Sequence, residues 1–324
     1  MINSVRNTVQ AVLNKNNYGY ISPQDFNLYA KQAQMEFFEE YFSNYNKVIN
    51  MENSRMSGTD YADIEQPIAE VMEYFMRSDF LVPIPTASGF IINQFSAPSL
   101  ITVGYDYYMI NKLLCYTLVR KTGQNTATLP VNQLIDAGAN FINAGVVYGD
   151  VVVNLTTLES ATVMAVTATA LDLSDNIFLA IGNDYAVYAA SSATDAEKVS
   201  VGKITMLNNS LLTAPSTVFP VYTLDNENKI TVYPNTIKGY GAINATYFRY
   251  PKDPKWTYTT LASGEPLFDQ TQPDYQDFEL PLEEEYKLAV KILQYCGITI
   301  REAEVVQFAM AQEQHEQPSF SMQQ

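Results

Sequence analysis

Helix-period patterning in this chain is confined to its two ends and period-two patterning to the stretch between them, a segregation that points to an α+β fold. Near the start, Ile2, Val5, Val9, Val12 and Leu13 recur at helical spacing, and "NNYGY" ends the run with a glycine. "SPQDF" opens a second helix, with Ser22 as N-cap, Pro23 at the first helical position and Asp25 in a capping-box-like place; it is expected to run to about Lys47. Phe26, Ala30, Ala33, Phe37, Tyr41 and Tyr45 line one side of it. Ile64, Ile68, Val71, Met72 and Phe75 suggest a third helix, with Pro67 at its beginning or at a kink. At the other end, "FELPLEEEYKLAVKILQYCG" places Pro281 in a first turn, three glutamates where a helix N-terminus favours negative charge, and Gly297 at the stop. A last helix over roughly Thr299 to Gln314 leads into a polar tail, "QEQHEQPSFSMQQ", expected to be mobile.

From "FLVPIPTASGF" to about Trp256, short apolar runs are separated by Pro, Gly, Asn and Ser, the texture of β-structure. The densest is Ala144 to Asn154, "AGVVYGDVVVN". There Val151, Val153 and Leu155 alternate with Val152, Asn154 and Thr156, as in a strand with both faces at least partly buried. The alternation resumes over Val163 to Leu173 and around Tyr185 to Tyr188, with turn residues between. Strands of the surrounding body flank this module on both sides, so it reads as an insertion. "PVYTLDNENKITVYP" reads as a hairpin and "AINATYFRYP" as a further strand. The expected organisation is a helical adaptor-like domain of 1–80 plus 278–316 and a large, mostly antiparallel β body of 81–131 plus 191–260. An inserted small β-barrel-like module occupies 132–190, and a flexible tail 317–324.

The chemistry is limited. His315 is the single histidine and lies in the tail, so no Ser/His/Asp, Cys/His or multi-histidine metal site can be assembled from this chain, and no cofactor or metal is expected. Cys115 and Cys296 sit in separate apolar runs and read as buried core thiols. "KTG" at Lys121 to Gly123 and "SVGK" at Ser200 to Lys203 imitate penicillin-binding enzymes. Their order is reversed, a third element is missing, and Ser200 falls in a strand-like run instead of at a helix start. Glu283 to Glu285 read as helix-capping charge, because consecutive residues point to different sides of a helix. The first residues lack the apolar stretch of a secretory signal and no run approaches a membrane span, so a reducing, cytosol-like compartment without a membrane anchor is expected. A formal net charge of −16 with no cluster of Lys and Arg argues against gripping nucleic acid. What the chain has in quantity is tyrosine, 23 residues suited to extensive protein interfaces. Tyr41, Tyr45, Tyr185, Tyr188, Tyr240 and Trp256 are the interface candidates, against ordinary packing for at least half of the tyrosines and a structural plug for Trp256.

Three phrases in order, "NYGYISPQDFNLYAKQAQMEFFEEYF", "LLTAPSTVFPVYTLDNENKITVYPNTI…ATYFRYPKDPKW" and "DFELPLEEEYKLAVKILQYCGITIREAEVVQFA", together resemble virion structural proteins of crAss-like bacteriophages of gut Bacteroidales. They cover about a third of the chain. The resemblance implies a non-enzymatic neck or tail-ring protein of a short-tailed phage, a head-tail connector made in the host cytoplasm and stacked below the portal. Its implied partners are copies of itself in a roughly twelve-fold ring, the portal protein or adjacent neck and tail rings, and passing genomic DNA without specific binding. The stretch from Phe141 to Tyr188 looks like a small β-barrel module found in several phage neck and tail proteins. A receptor- or glycan-binding tail component and a polysaccharide or cell-wall hydrolase are the rival readings, the latter requiring a cleft with paired carboxylates.

Overall fold

The computed structural model describes residues 1–15, 21–55, 66–85, 91–225, 228–262 and 264–300; Ile64, the helix expected beyond Ile300, His315 and the tail 317–324 lie outside them. Three helices come first, α1 (Ile2–Lys15), α2 (Pro23–Arg55) and α3 (Gln66–Phe75). Strands β1 (Met76–Phe80), β2 (Pro83–Pro85), β3 (Ile91–Ser96), β4 (Tyr107–Tyr116), β5 (Val119–Gln124) and β6 (Gln133–Ile135) follow. Next are β7 (Val151–Asn154), β8 (Glu159–Val166), β9 (Ala170–Leu173), β10 (Asp184–Tyr188), β11 (Ala193–Asp195) and β12 (Glu197–Lys198). After α4 (Val201–Asn208) come β13 (Val221–Asp225), β14 (Lys229–Tyr233), β15 (Ile243–Arg249), β16 (Tyr258–Thr260) and β17 (Pro266–Phe268), and then α5 (Glu285–Ile300). The chain divides into two compact units, Met1–Phe75 with Pro251–Gln324, and Met76–Tyr250.

The helical unit joins the two ends of the sequence: α1 and α2 both pack on α5. Ile2, Val5 and Val9 meet Phe26, Ala30 and Ala33 and, from α5, Leu288, Ile292 and Cys296 in one buried cluster. Ser22 caps α2 as its sequence implies, its hydroxyl accepting from Asp25 N at 3.1 Å and donating to the Asp25 carboxylate at 2.6 Å. The helix continues past Lys47 to Arg55, since no Gly or Pro interrupts it before Gly58. Likewise α5 runs through Gly297 to Ile300, an interior glycine costing only about 1 kcal/mol. Helical structure expected through residue 80 gives way at Met76, where β1 pairs with β15 from Met76 opposite Phe248 to Phe80 opposite Asn244, a partnership no local pattern reveals. Residues 251–260, expected to close the β body, belong to the helical unit instead. Trp256 is buried in the α1/α2/α5 cluster, where its large apolar surface is removed from water.

In the second unit, a four-stranded sheet of order β1-β15-β4-β11 and a five-stranded sheet of order β12-β13-β14-β3-β2 form the body, antiparallel except for the short β12/β13 pair. The inserted module is a six-stranded antiparallel sheet of order β5-β10-β7-β8-β9-β6. It curls into a half-barrel, and a bridge between Ala127 and Ile135 links the chain after β5 to β6 at the far edge. Its edge strand β5 comes from the stretch read as body, so the sheet begins before residue 132.

The valine run acquires its meaning here. Val152 on β7, with Tyr185 and Val187 on β10, points into the module's own core, whereas Val153, Ala186 and Tyr188 join the core of the body. Period-two alternation with apolar residues on both faces thus marks strands buried between two cores. Asp150 ends the preceding loop in a buried ion pair with Arg120 at 2.7 Å, accepting also from Val147 N and Ala190 N. Asn154 terminates β7, its amide donating to the Ile177 carbonyl while its oxygen accepts from Thr156 N and Thr157 N.

Candidate subunit interface

The strongest departure from ordinary surface chemistry is the arm between β12 and β13. Ser200 caps α4, its hydroxyl accepting from Lys203 N at 3.3 Å. This corrects the reading of Ser200 as part of a strand; the hydroxyl serves as a cap on a helix start. Only Ile204 of α4 is fully buried, against Val199 and Val221. Beyond α4 the chain is shaped by turns: Ala214 N donates to Ser210 O, the Thr213 hydroxyl to Leu207 O, and Ser216 N to Phe219 O. The result is locally ordered yet unpacked. Leu211 and Leu212 are fully exposed, and Met206, Val218 and Phe219 are between 63% and 76% exposed. Lys203 is the only charged residue between Val199 and Val221. Each such side chain releases about 1.5–3 kcal/mol when taken out of water.

A second apolar patch lies at one end of the module. Leu129 and Val131 in one loop, Leu179 and Ile181 in another, are all at least 61% exposed. The two loops lie side by side because the Asn125 amide donates to the Ala180 carbonyl and Gly182 N to Asn125 O.

Each unit also carries a cleft. In the helical unit, a cleft of about 480 Å³ is lined by Tyr41, Val71, Tyr74, Phe278, Leu280 and Pro281, with Glu70, Glu279 and Glu283 also in its lining. Beside it, Tyr41 donates to the buried Glu284 carboxylate at 2.6 Å, which also pairs with Lys287 at 3.3 Å. Burial first, then that carboxylate, pushes the Tyr41 phenol above its usual range. In the β unit, a more polar cleft of about 780 Å³ brings together Asp79, Glu159 and Asp175. Each accepts from a neighbouring hydroxyl, of Tyr247 at 2.8 Å, Thr157 at 2.9 Å and Ser174 at 2.8 Å respectively. Among the described residues, no group of three or more His, Cys, Asp or Glu is placed to hold a metal ion, and no helix is long and apolar enough to cross a membrane.

The aromatic candidates separate clearly. Tyr185, Tyr188, Tyr240 and Trp256 are buried within this chain, where they build cores. Tyr185 donates to Asp136, Tyr188 to the Tyr240 carbonyl and Tyr240 to the Leu158 carbonyl. Tyr41 and Tyr45 are half-buried; Tyr41 lines the cleft of the helical unit and the largely buried Tyr240 that of the β unit. The arm residues Met206, Leu211, Leu212, Val218 and Phe219 are absent from the aromatic set. Their signal is an apolar run that fits neither period, set among Asn, Ser, Thr and Pro with a single charge. Cys115 and Cys296 are buried free thiols, each pushed up to about 12 chiefly by desolvation. No model of a known protein family matches this chain, and no curated protein matches it.

Proposed function

We propose that this chain is a non-enzymatic virion structural protein, a subunit of an oligomeric ring in the portal-proximal neck or tail of a short-tailed bacteriophage. The observation that carries the reading is the ordered, solvent-exposed apolar arm on an otherwise acidic molecule. A monomer gains nothing from exposing Leu211 and Leu212, whereas an assembling subunit uses them. The three phrases resembling crAss-like phage virion proteins supply the location, and the module's exposed loops supply a second surface for adjoining layers. The net charge of −16 suits a wall along which DNA passes without sticking, because retention needs Lys and Arg against phosphate. Imaging the particle tests the proposal: ring density of about twelve copies beside the portal is expected. A particle that lacks the protein refutes it.

A second reading, hydrolysis of a surface polysaccharide, draws on the three carboxylates of the β-unit cleft. Its test is turnover of capsule or cell-wall polysaccharide by the purified chain. Turnover abolished by Glu159→Gln favours the hydrolase, and absence of turnover removes it.

A further inference from the structure

The arm requires an acceptor, and the helical unit carries a cleft of matching chemistry. Val71, Tyr74, Phe278, Leu280 and Pro281 give it an apolar lining, and about 480 Å³ places it in the size range of pockets that take up compact apolar groups. Tyr74 is half exposed there, and Leu282 and Tyr286, in the segment that follows Pro281, are also exposed. Glu70, Glu279 and Glu283 make its surroundings negative. Two copies of a chain carrying −16 repel each other, and least where one of the two meeting elements carries no acid. The arm is such an element, and its one charge, Lys203, is positive.

We propose that the arm of one copy docks in the helical-unit cleft of the next, Leu211 and Leu212 entering the apolar lining and Lys203 facing the glutamates. This inference rests on the ring reading above. The β-unit cleft is a poorer host, because hydroxyl, amide and carboxylate groups dominate its lining and covering them with leucine leaves polar groups without water. Arm-to-arm pairing sets two lysines against each other and stops at a dimer. Arm-to-cleft pairing joins two different patches, one on each unit, so every added copy presents a fresh arm and a fresh cleft. That is the heterologous contact from which rings close.

The test uses the full-length chain in sedimentation velocity from about 1 to about 200 μM. The wild-type chain is expected to associate with rising concentration. An arm variant, Leu211→Asp with Leu212→Asp, and a cleft variant, Tyr74→Lys with Glu283→Lys, are each expected to weaken association by about 100-fold or more. All four positions are exposed, so folding is preserved, and an unchanged thermal transition verifies this. Mixed together, the two variants retain one intact pairing, the arm of the cleft variant with the cleft of the arm variant, and are expected to form a one-to-one heterodimer and nothing larger. A wild-type chain that stays monomeric, an arm variant that still associates, or a mixture that stays monomeric overturns the inference. The particle image judges the ring reading separately: a ring in the virion together with a monomeric mixture refutes arm-to-cleft docking alone.

Discussion

Trp256 Nε1 donates to Asn3 Oδ1 at 3.0 Å, tying the first turn of α1 to a residue 253 positions later. The same indole stacks with Tyr258 and Phe268, lies 3.7 Å from the Arg6 guanidinium, and receives the Asn27 side chain on its backbone N–H and C=O. Replacing Trp256 by Ala removes a buried aromatic plug, and a loss of about 3–5 kcal/mol from the helical unit is expected in urea unfolding followed by far-UV circular dichroism. Trp256→Phe is expected to cost less, because the stack survives while the hydrogen bond is lost.

Asp277 provides a pH-dependent clasp on the same unit. Its carboxylate accepts from the Met1 amine at 2.9 Å, Ile2 N at 2.7 Å and Phe278 N at 2.8 Å. Burial pushes its pKa up, but these donors outweigh burial and hold it below the usual carboxylate range. A depressed carboxylate stabilises the fold above its unfolded value, about 4, and that stabilisation is lost as pH falls through the folded value. Asp277→Asn is therefore expected to lower stability at pH 7 by about 1 kcal/mol, moderated by partial exposure. The gap between variant and wild type should close on acidification below about pH 4. Since Trp256 is the only tryptophan, its fluorescence reports the transition of this unit.

Gly241 and Gly149 both have positive φ, at 83° and 86°, but their surroundings differ. A Cβ on Gly241 meets Val153 Cγ2 at 2.6 Å and Tyr188 Cε2 at 2.8 Å, at the seam between body and module; one on Gly149 meets nothing within 4 Å. Gly149→Ala should cost only the backbone strain, about 1–2 kcal/mol. Gly241→Ala adds overpacking, for a total of about 2–5 kcal/mol, measurable by denaturant titration of the near-UV tyrosine signal.

Tyr185, wholly buried, donates to Asp136 Oδ2 at 2.7 Å in the heart of the module. Tyr185→Phe leaves a buried carboxylate oxygen short of a donor, and a loss of about 1–3 kcal/mol is expected. Desolvation first, and then the Asp136 hydrogen bond, raises the Tyr185 pKa above 10; Tyr188 and Tyr240 are pushed up to about 12, mainly by burial. A tyrosine with a raised folded pKa contributes stability that is complete below its unfolded value, about 10, and is lost as pH rises through the folded value. The β unit should accordingly weaken between about pH 10 and 12, with these phenols titrating late in ultraviolet difference spectra.

Helix patterning at both ends, the Ser22 cap, the valine alternation of β7 and the burial of both cysteines are legible in the residues themselves. In each case the controlling interaction lies within a few positions or follows from apolarity alone. Tertiary structure decided what depends on distant partners. Met76–Phe80 becomes a strand because β15 offers it a free edge, and Trp256 leaves the β texture around it for the helical core. Val119–Gln124 enters the module's sheet by pairing with β10. Tyr185, Tyr188, Tyr240 and Trp256 are buried for the same reason: composition states how many aromatic residues a chain has, while burial depends on which distant segments pack against them. Leu211 and Leu212 stand at the opposite extreme, where a sequence shows two leucines and only the folded chain shows that both are fully exposed among the described residues.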